Sequence, residues 1–282
     1  MRPVEWSELS EPIFEIENLE YRYPGGGVAL RDVSFSIEPG ERVAVLGANG
    51  SGKSTLLHLL DGLYFAGGGS VSAFGTRLTE ETVDMPPFSH RFRRQVGFLF
   101  QNSDAQLFCA RVDEELAFGP LQLRLPQADV EQRVADVLRL LEIEHLRQRS
   151  PQQLSEGEKK RVALASVLAM GPSVLLLDEP SSGLDPRTQQ WLIEFLDELH
   201  HSGVTLVTAS HDLSFVADTA DRALVLSEDH RLVRDAPCGD VLGDTNLLLS
   251  VNLIHAHPHA HGPVTHAHAH RHDSGHEHEH PV

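Results

Sequence analysis

Residues 47–55 read GANGSGKST and fit the pattern GxxxxGK[ST] between a short apolar run, RVAVLG, and a helix-like run, KSTLLHLLDGL. Gly47, Ala48, Asn49, Gly50, Ser51 and Gly52 have the composition of a loop whose backbone N–H groups turn inward around phosphates. The helix after the loop adds partial positive charge at its N-terminus. In that arrangement Lys53 reaches the β- and γ-phosphates of a nucleotide. Ser54 holds Mg²⁺ and Thr55 hydrogen-bonds the α-phosphate. A second run, VLLLDEP (Val174–Pro180), is a wholly apolar strand that ends in two acids. Asp178 is placed to contact the metal and Glu179 to orient or deprotonate an attacking water. A third run, LSEGE (Leu154–Glu158), reads as a helix start. There the Ser155 hydroxyl and the N–H groups near Gly157 face an anion, while Ser155 and Glu158 have the spacing of a capping box.

These residues need strands that end together. Residues 13–45 alternate apolar and polar positions (Phe14, Ile16, Leu19; Val33, Phe35, Ile37) and predict antiparallel strands. RVAVLG, QVGFLFQ (Gln95–Gln101), Val174–Leu177 and Val204–Ser210 predict buried strands, and RALVLSEDHRLVRD a closing hairpin. From Asn102 to about Gly171 the pattern turns helical, with Val130, Val134, Val137, Leu138 and Leu141 at helical spacing. The expected layout is a lead-in at 1–12, an α/β domain at 13–253 with a helical insertion at about 102–171, and a tail at 254–282.

Bulk properties narrow the function. The chain of 282 residues carries 41 acidic against 23 basic residues, a formal net charge of −18, which argues against nonspecific nucleic-acid binding. Cys109 and Cys238 stand far apart in no metal spacing and read as reduced thiols. The opening residues lack the regions of a signal peptide, and no apolar run approaches the roughly 20 residues of a membrane helix. Any membrane role therefore falls to partner subunits. Residues 255–282 hold 11 of the 18 histidines, at His255, His257, His259, His261, His266, His268, His270, His272, His276, His278 and His280. With almost no large apolar residue the segment is expected to be disordered. Its His-x-His spacing sets imidazoles on one side of an extended chain, suited to Ni²⁺, Co²⁺, Zn²⁺ or Cu²⁺ and selective for none of them.

In their order, GANGSGKST, LSEGEKKRVALA, VLLLDEP and a histidine closing TLVTAS resemble the ATPase subunit of ABC transporters, over roughly residues 13–250. The resemblance implies an α/β fold with a RecA-like core, an N-terminal antiparallel β subdomain and an inserted helical subdomain. It implies hydrolysis of ATP with Mg²⁺. Ser155 and Gly157 would contact ATP held by a second chain, homologous or identical, in a head-to-tail sandwich. The family pattern at this point is LSGGQ, and here Glu156 and Glu158 replace its third and fifth residues. Gln101 matches the loop glutamine that meets Mg²⁺ or water, and His211 the histidine that contacts the γ-phosphate and positions Glu179. Ser182–Asp185 matches a loop at the dimer interface. Tyr23 fits the aromatic that stacks on adenine, with an ordinary strand tyrosine a near-equal reading and Tyr21 a competitor. The stretch NSDAQLFCARVDEELAFGP resembles ATPases of energy-coupling-factor importers, where it helps dock a membrane-embedded coupling subunit. Gln106, Leu107 and Phe108 are then expected to line the docking groove. That branch includes nickel and cobalt uptake systems, with a substrate-binding membrane subunit and the ATPases on the cytoplasmic face. Vitamin import and non-transport work remain open alternatives at this point.

Overall fold

The computed structural model describes residues 11–261 and 264–271, with side chains through His255. Two long strands, β1 (Phe14–Arg22) and β2 (Val28–Ile37), precede β3 (Arg42–Leu46), which feeds helix α1 (Lys53–Leu60). Next come β4 (Gly68–Ala73), β5 (Thr76–Arg77), α2 (Glu80–Asp84), α3 (Phe88–Gln95) and β6 (Val96–Leu99). The chain then turns helical, through α4 (Ser103–Gln106), α5 (Val112–Gln122), α6 (Gln127–Leu140) and α7 (Glu156–Leu168). The α/β alternation resumes with β7 (Val174–Asp178), α8 (Pro186–His201), β8 (Thr205–Ser210), α9 (Leu213–Thr219) and β9 (Arg222–Leu226). It ends with β10 (Leu232–Pro237), α10 (Cys238–Gly243), α11 (Thr245–Ser250), β11 (Ile254–His261) and β12 (Val264–Arg271).

Among the described residues the strands form three sheets. The first is antiparallel, in the order β2-β1-β4-β5. The second runs β10-β9-β3-β8-β7-β6, parallel from β9 to β6, with β10 antiparallel on its edge. Its inner strands β3, β7 and β8 are buried almost throughout, because helices cover both faces and leave no side for polar residues. Register decides what this sheet delivers. Leu46 lies opposite Ser210, and Ala209 opposite Asp178, so three neighbouring strands end at the same level. The residues just past these strand ends, Gly47, His211 and Glu179, emerge at one carboxyl edge, where open α/β sheets bind ligands.

The core is layered accordingly. One apolar cluster joins α1 and the antiparallel sheet to one face of the parallel sheet, through Leu56, Leu60, Val45 and Leu176. A second joins α5, α6, α7 and α8 to the other face, through Leu116, Val134, Leu164, Leu175 and Leu192. A third seats α10 and α11 through Val241 and Leu248, helices too short to declare themselves by periodicity. Among the described residues no helix is long and apolar enough to cross a membrane.

The described part of the tail contains two strands. Ile254–His261 pairs antiparallel with Val264–Arg271, so that His255 stands opposite His270, His257 opposite His268 and His259 opposite His266. Alternation of His with small residues has the period of a β-pleat, and Gly262 and Pro263 are turn formers between the two runs. His272, His276, His278 and His280, like residues 1–10, lie outside the described residues.

Helix α7 rests closely on β6. A Cβ added at Gly97 would collide with Val167 Cγ1 of α7 and stand 3.2 Å from Pro172 Cγ. Gly97→Val is therefore expected to destabilise the chain by about 1–3 kcal/mol through overpacking. A thermal-denaturation midpoint equal to that of the wild type would contradict this seating.

Candidate active site

The loop between β3 and α1 wraps tightly because its glycines lack Cβ atoms. Gly47 has φ 156°, and a side chain there would collide with Ser51 Oγ and stand 2.7 Å from the Leu226 carbonyl. Gly52 has φ 109°, and a Cβ would strike the carbonyl of Ala29. Lys53 opens α1, and its Nζ donates to the carbonyls of Gly47 (2.9 Å) and Ala48 (3.2 Å). The same nitrogen is 3.8 Å from Glu179 Oε1. Burial pulls the Lys53 ammonium below the usual lysine range, and Glu179 and Asp178 oppose that shift. Ser51 Oγ is buried without a hydrogen-bond partner.

Two adjacent acids leave β7 towards different partners. Asp178 Oδ1 accepts from Ser54 Oγ at 3.0 Å. Glu179 takes a left-handed φ of 45°, uncommon outside glycine, and its N–H donates to the Ala209 carbonyl at 2.9 Å. That turn sets Glu179 Oε1 2.9 Å from His211 Nδ1, while Ser210 Oγ donates to Oε2 at 3.4 Å. When Glu179 is ionised it only accepts, so in that state His211 Nδ1 is the donor of this pair and Nε2 is left for another partner. Burial raises the Asp178 carboxyl above its ordinary value, partly offset by the Ser54 hydroxyl. Ser54 and Asp178 make an all-oxygen donor pair of the kind a hard divalent cation takes, so the residues fit Mg²⁺.

A cavity of about 400 Å³ opens over this loop, and Lys53, Ser54, Thr55, Gln101, Glu179 and His211 all line it. Asn49, Gly50 and Gly52 form part of its wall. Gln101 is exposed just past the end of β6. The choice between the two tyrosines is now physical. Tyr21 stacks on Tyr64 with ring centroids 5.3 Å apart and planes 7° off parallel. Tyr23 lines the cavity, with its hydroxyl 2.7 Å from Thr55 Oγ1.

Ser155 and Gly157 are elsewhere. Ser155 caps α7 in a complete capping box: the Glu158 N–H donates to Ser155 Oγ (3.4 Å), and the Ser155 N–H donates to Glu158 Oε2 (2.8 Å). Ser155 Oγ also donates to Glu158 Oε2 at 2.8 Å. The Ser155 backbone N–H, with its hydroxyl, holds the Glu158 carboxyl below its ordinary value. Both residues line a separate cavity of about 620 Å³ with Glu156, Glu158, Gly183 and Asp185. No residue lines both cavities. Gly183 and Asp185 belong to the segment expected at a chain–chain interface, and Asp185 also caps α8 by accepting from the N–H groups of Arg187 and Thr188.

The expected docking residues divide. Phe108 is 61% exposed and meets Phe118 edge-on, with centroids 4.9 Å apart. Leu107 is buried, and the Gln106 amide turns inward to the Ala163 carbonyl of α7 at 2.9 Å. Of the three residues expected at a docking groove, Phe108 is the exposed one, and Phe118 beside it is exposed as well. A one-turn helix packed on α7 has no periodicity long enough to show this in sequence. Among the described residues no group of three or more His, Cys, Asp or Glu side chains is placed to hold a transition metal.

Comparison with known proteins agrees with this geometry. Residues 30–182 match the family model for the ABC transporter domain. The nickel import ATP-binding protein NikO of Rhodobacter capsulatus is 46% identical over 246 residues, spanning 86% of this chain and 96% of its own length. The structure of cbiO1 from Clostridium perfringens, part of the ABC transporter complex cbiONQ, superposes with a TM-score of 0.73. It is 34% identical over 86% of this chain and 96% of its own. A dimeric structure of the ATP-binding cassette MJ0796 in a post-hydrolysis state, bound to ADP and Pi, gives a TM-score of 0.72. It is 26% identical and covers 80% and 98% of the two chains. This chain therefore belongs to the ABC transporter family, as one of its ATP-binding, ATP-hydrolysing subunits.

Proposed function

We propose that the chain powers an energy-coupling-factor importer for nickel or cobalt ions, working as one of two ATPase chains on the cytoplasmic side of membrane partners. The observation that carries the two-chain reading is the separation of the loop cavity from the Ser155–Gly157 cavity. Each has half the contacts an ATP needs, so one chain's loop faces the other chain's α7. The MJ0796 cassette, solved as a dimer, supports the same arrangement.

Within that sandwich the loop N–H groups and Lys53 bind the β- and γ-phosphates, and Thr55 the α-phosphate. Tyr23 supports adenine. Ser54, Asp178 and Gln101 would hold Mg²⁺, which when bound draws charge off the phosphate oxygens. Glu179 orients and deprotonates the attacking water, and its contact with His211 fixes the carboxylate. His211 Nε2 would donate to a γ-phosphate oxygen from an imidazole protonated on both nitrogens, with Nδ1–H held by Glu179. The partner's Ser155 and the partner's Gly157 complete the cradle. Closing of the sandwich on ATP and its reopening after hydrolysis would reach the membrane subunits through the exposed Phe108–Phe118 patch.

The cargo reading is supported by the nickel-import relative and by the tail. The strand pairing sets His255 opposite His270, His257 opposite His268 and His259 opposite His266. A two-stranded hairpin is marginal alone, so metal held across the strands would also order it. The tail would gather Ni²⁺ or Co²⁺ near the site of release.

Glu179→Gln is expected to bind ATP as the wild type does and to lose turnover by about 10²–10⁴-fold. In cells carrying the complete transporter it should abolish nickel and cobalt accumulation. Accumulation equal to that of the wild type would remove metal import from the account while leaving the ATPase in place. Deleting residues 255–282 should abolish nickel binding by the purified chain, measured by calorimetry. The combination Ala256→His, His257→Ala, Ala267→His, His268→Ala keeps the histidine count but breaks the central pair. It should weaken nickel binding, whereas unchanged affinity would reduce the tail to an unpaired reservoir of histidines.

A further inference from the structure

Lys160 is 3% exposed, among the most buried charged side chains of the described residues, and none of the roles above uses it. Burying an ammonium costs several kcal/mol unless it is compensated. Its Nζ donates to the backbone carbonyl of Gln101 at 3.0 Å. Burial draws the group towards deprotonation, and the charges of Asp178 and Glu156 resist it. A methionine would fill the same space without that cost. The lysine thus spends stability on holding the backbone of one particular residue.

The bond belongs to a larger clasp. Lys159 Nζ lies 2.7 Å from Asp104 Oδ1. The Gln106 side chain bridges the two segments: its Oε1 accepts from the Phe100 N–H (3.2 Å), and its Nε2 donates to the Ala163 carbonyl (2.9 Å) and Ser166 Oγ (3.3 Å). Residues 100–106 are fastened to α7 at four of its positions, 159, 160, 163 and 166. The same helix begins at Ser155, five residues before Lys160, about 7.5 Å along its axis. A helix that short does not bend between the two points.

We propose that Lys160 and Gln106 are positioning residues of the ATPase reaction. They lock Gln101, which lines the chain's own ATP cavity, to Ser155 and Gly157, which serve the ATP of the opposite chain. A shift of Gln101 at one nucleotide then moves the cap offered to the other, and the two sites of a sandwich become cooperative. The inference rests on the two-chain reading above.

The test uses the full-length chain with Lys160→Met and Lys160→Arg, following hydrolysis against ATP concentration, thermal midpoint and ATP-dependent association. Lys160→Met should melt at or above the wild-type temperature, because the buried charge is gone. Its KM should stay within about threefold and its kcat fall about tenfold or more through misplacement of Gln101. Its Hill coefficient should drop towards 1. Lys160→Arg, which restores a donor, should recover part of the rate and of the cooperativity. Wild-type kcat and Hill coefficient in Lys160→Met would overturn the proposal. So would a loss of rate matched by a loss of melting temperature that Lys160→Arg fails to mend, the mark of a purely structural lysine. A wild-type chain that stays monomeric with ATP and hydrolyses it without cooperativity would instead defeat the two-chain reading, and the coupling with it.

Discussion

The parallel register of β3, β8 and β7 is the constraint on which the site depends. With Leu46 level with Ser210 and Asp178 level with Ala209, three strands stop together, and the chain must turn within a residue of each end. The turns supply a phosphate loop, a histidine and two carboxylates within hydrogen-bonding reach. A slip of one residue in any pair would reverse which face each side chain occupies, and the Glu179–His211 and Ser54–Asp178 contacts would go with it. The apolar runs Val43–Leu46, Val174–Leu177 and Leu206–Ala209 protect that register from both sides, since each is buried against helices.

Charge is concentrated where the backbone has been made ready for it. Lys53, Asp178 and Glu179 are each at most 6% exposed, and burial disfavours the charged form of both Lys53 and Asp178. Three such groups together compensate one another only in part, which leaves donors and acceptors able to change partners. Lys53 now binds carbonyls of its own loop, contacts that phosphate oxygens can replace. At the other end of the composite site Ser155 is satisfied within its own chain by Glu158. In the proposed two-chain arrangement the glutamates at positions 156 and 158 would add negative charge beside the surface offered to a nucleotide, a repulsion that the serine and the helix N-terminus would offset.

Much of the site was legible in the chain because its residues punctuate strand ends. The phosphate loop, Gln101, Glu179 and His211 each come directly after an apolar run, and the structure brings them to one cavity. Ser155 and Gly157, whose motif sits at a helix start, lie at another. Three features were not legible, each for a physical reason. Tyr21 and Tyr23 stand two residues apart, the spacing of one strand face, and the stacking of Tyr21 on Tyr64 and the place of Tyr23 at the cavity tell them apart. Gln106 lies in a single helical turn, where hydrogen bonds to a helix 57 residues away decide its direction. The tail's period reads as an extended chain, but which histidine stands opposite which depends on a strand register that neither composition nor period gives.

The central claim is that each ATP is hydrolysed between two chains. It is tested most directly by mixing two inactive proteins, one carrying Lys53→Ala and the other Gly157→Asp. A mixed dimer has one site with an intact loop from one chain and an intact Ser155–Gly157 cap from the other. The account predicts that ATPase activity returns on mixing although neither protein hydrolyses ATP alone. A mixture as inactive as its components would contradict it.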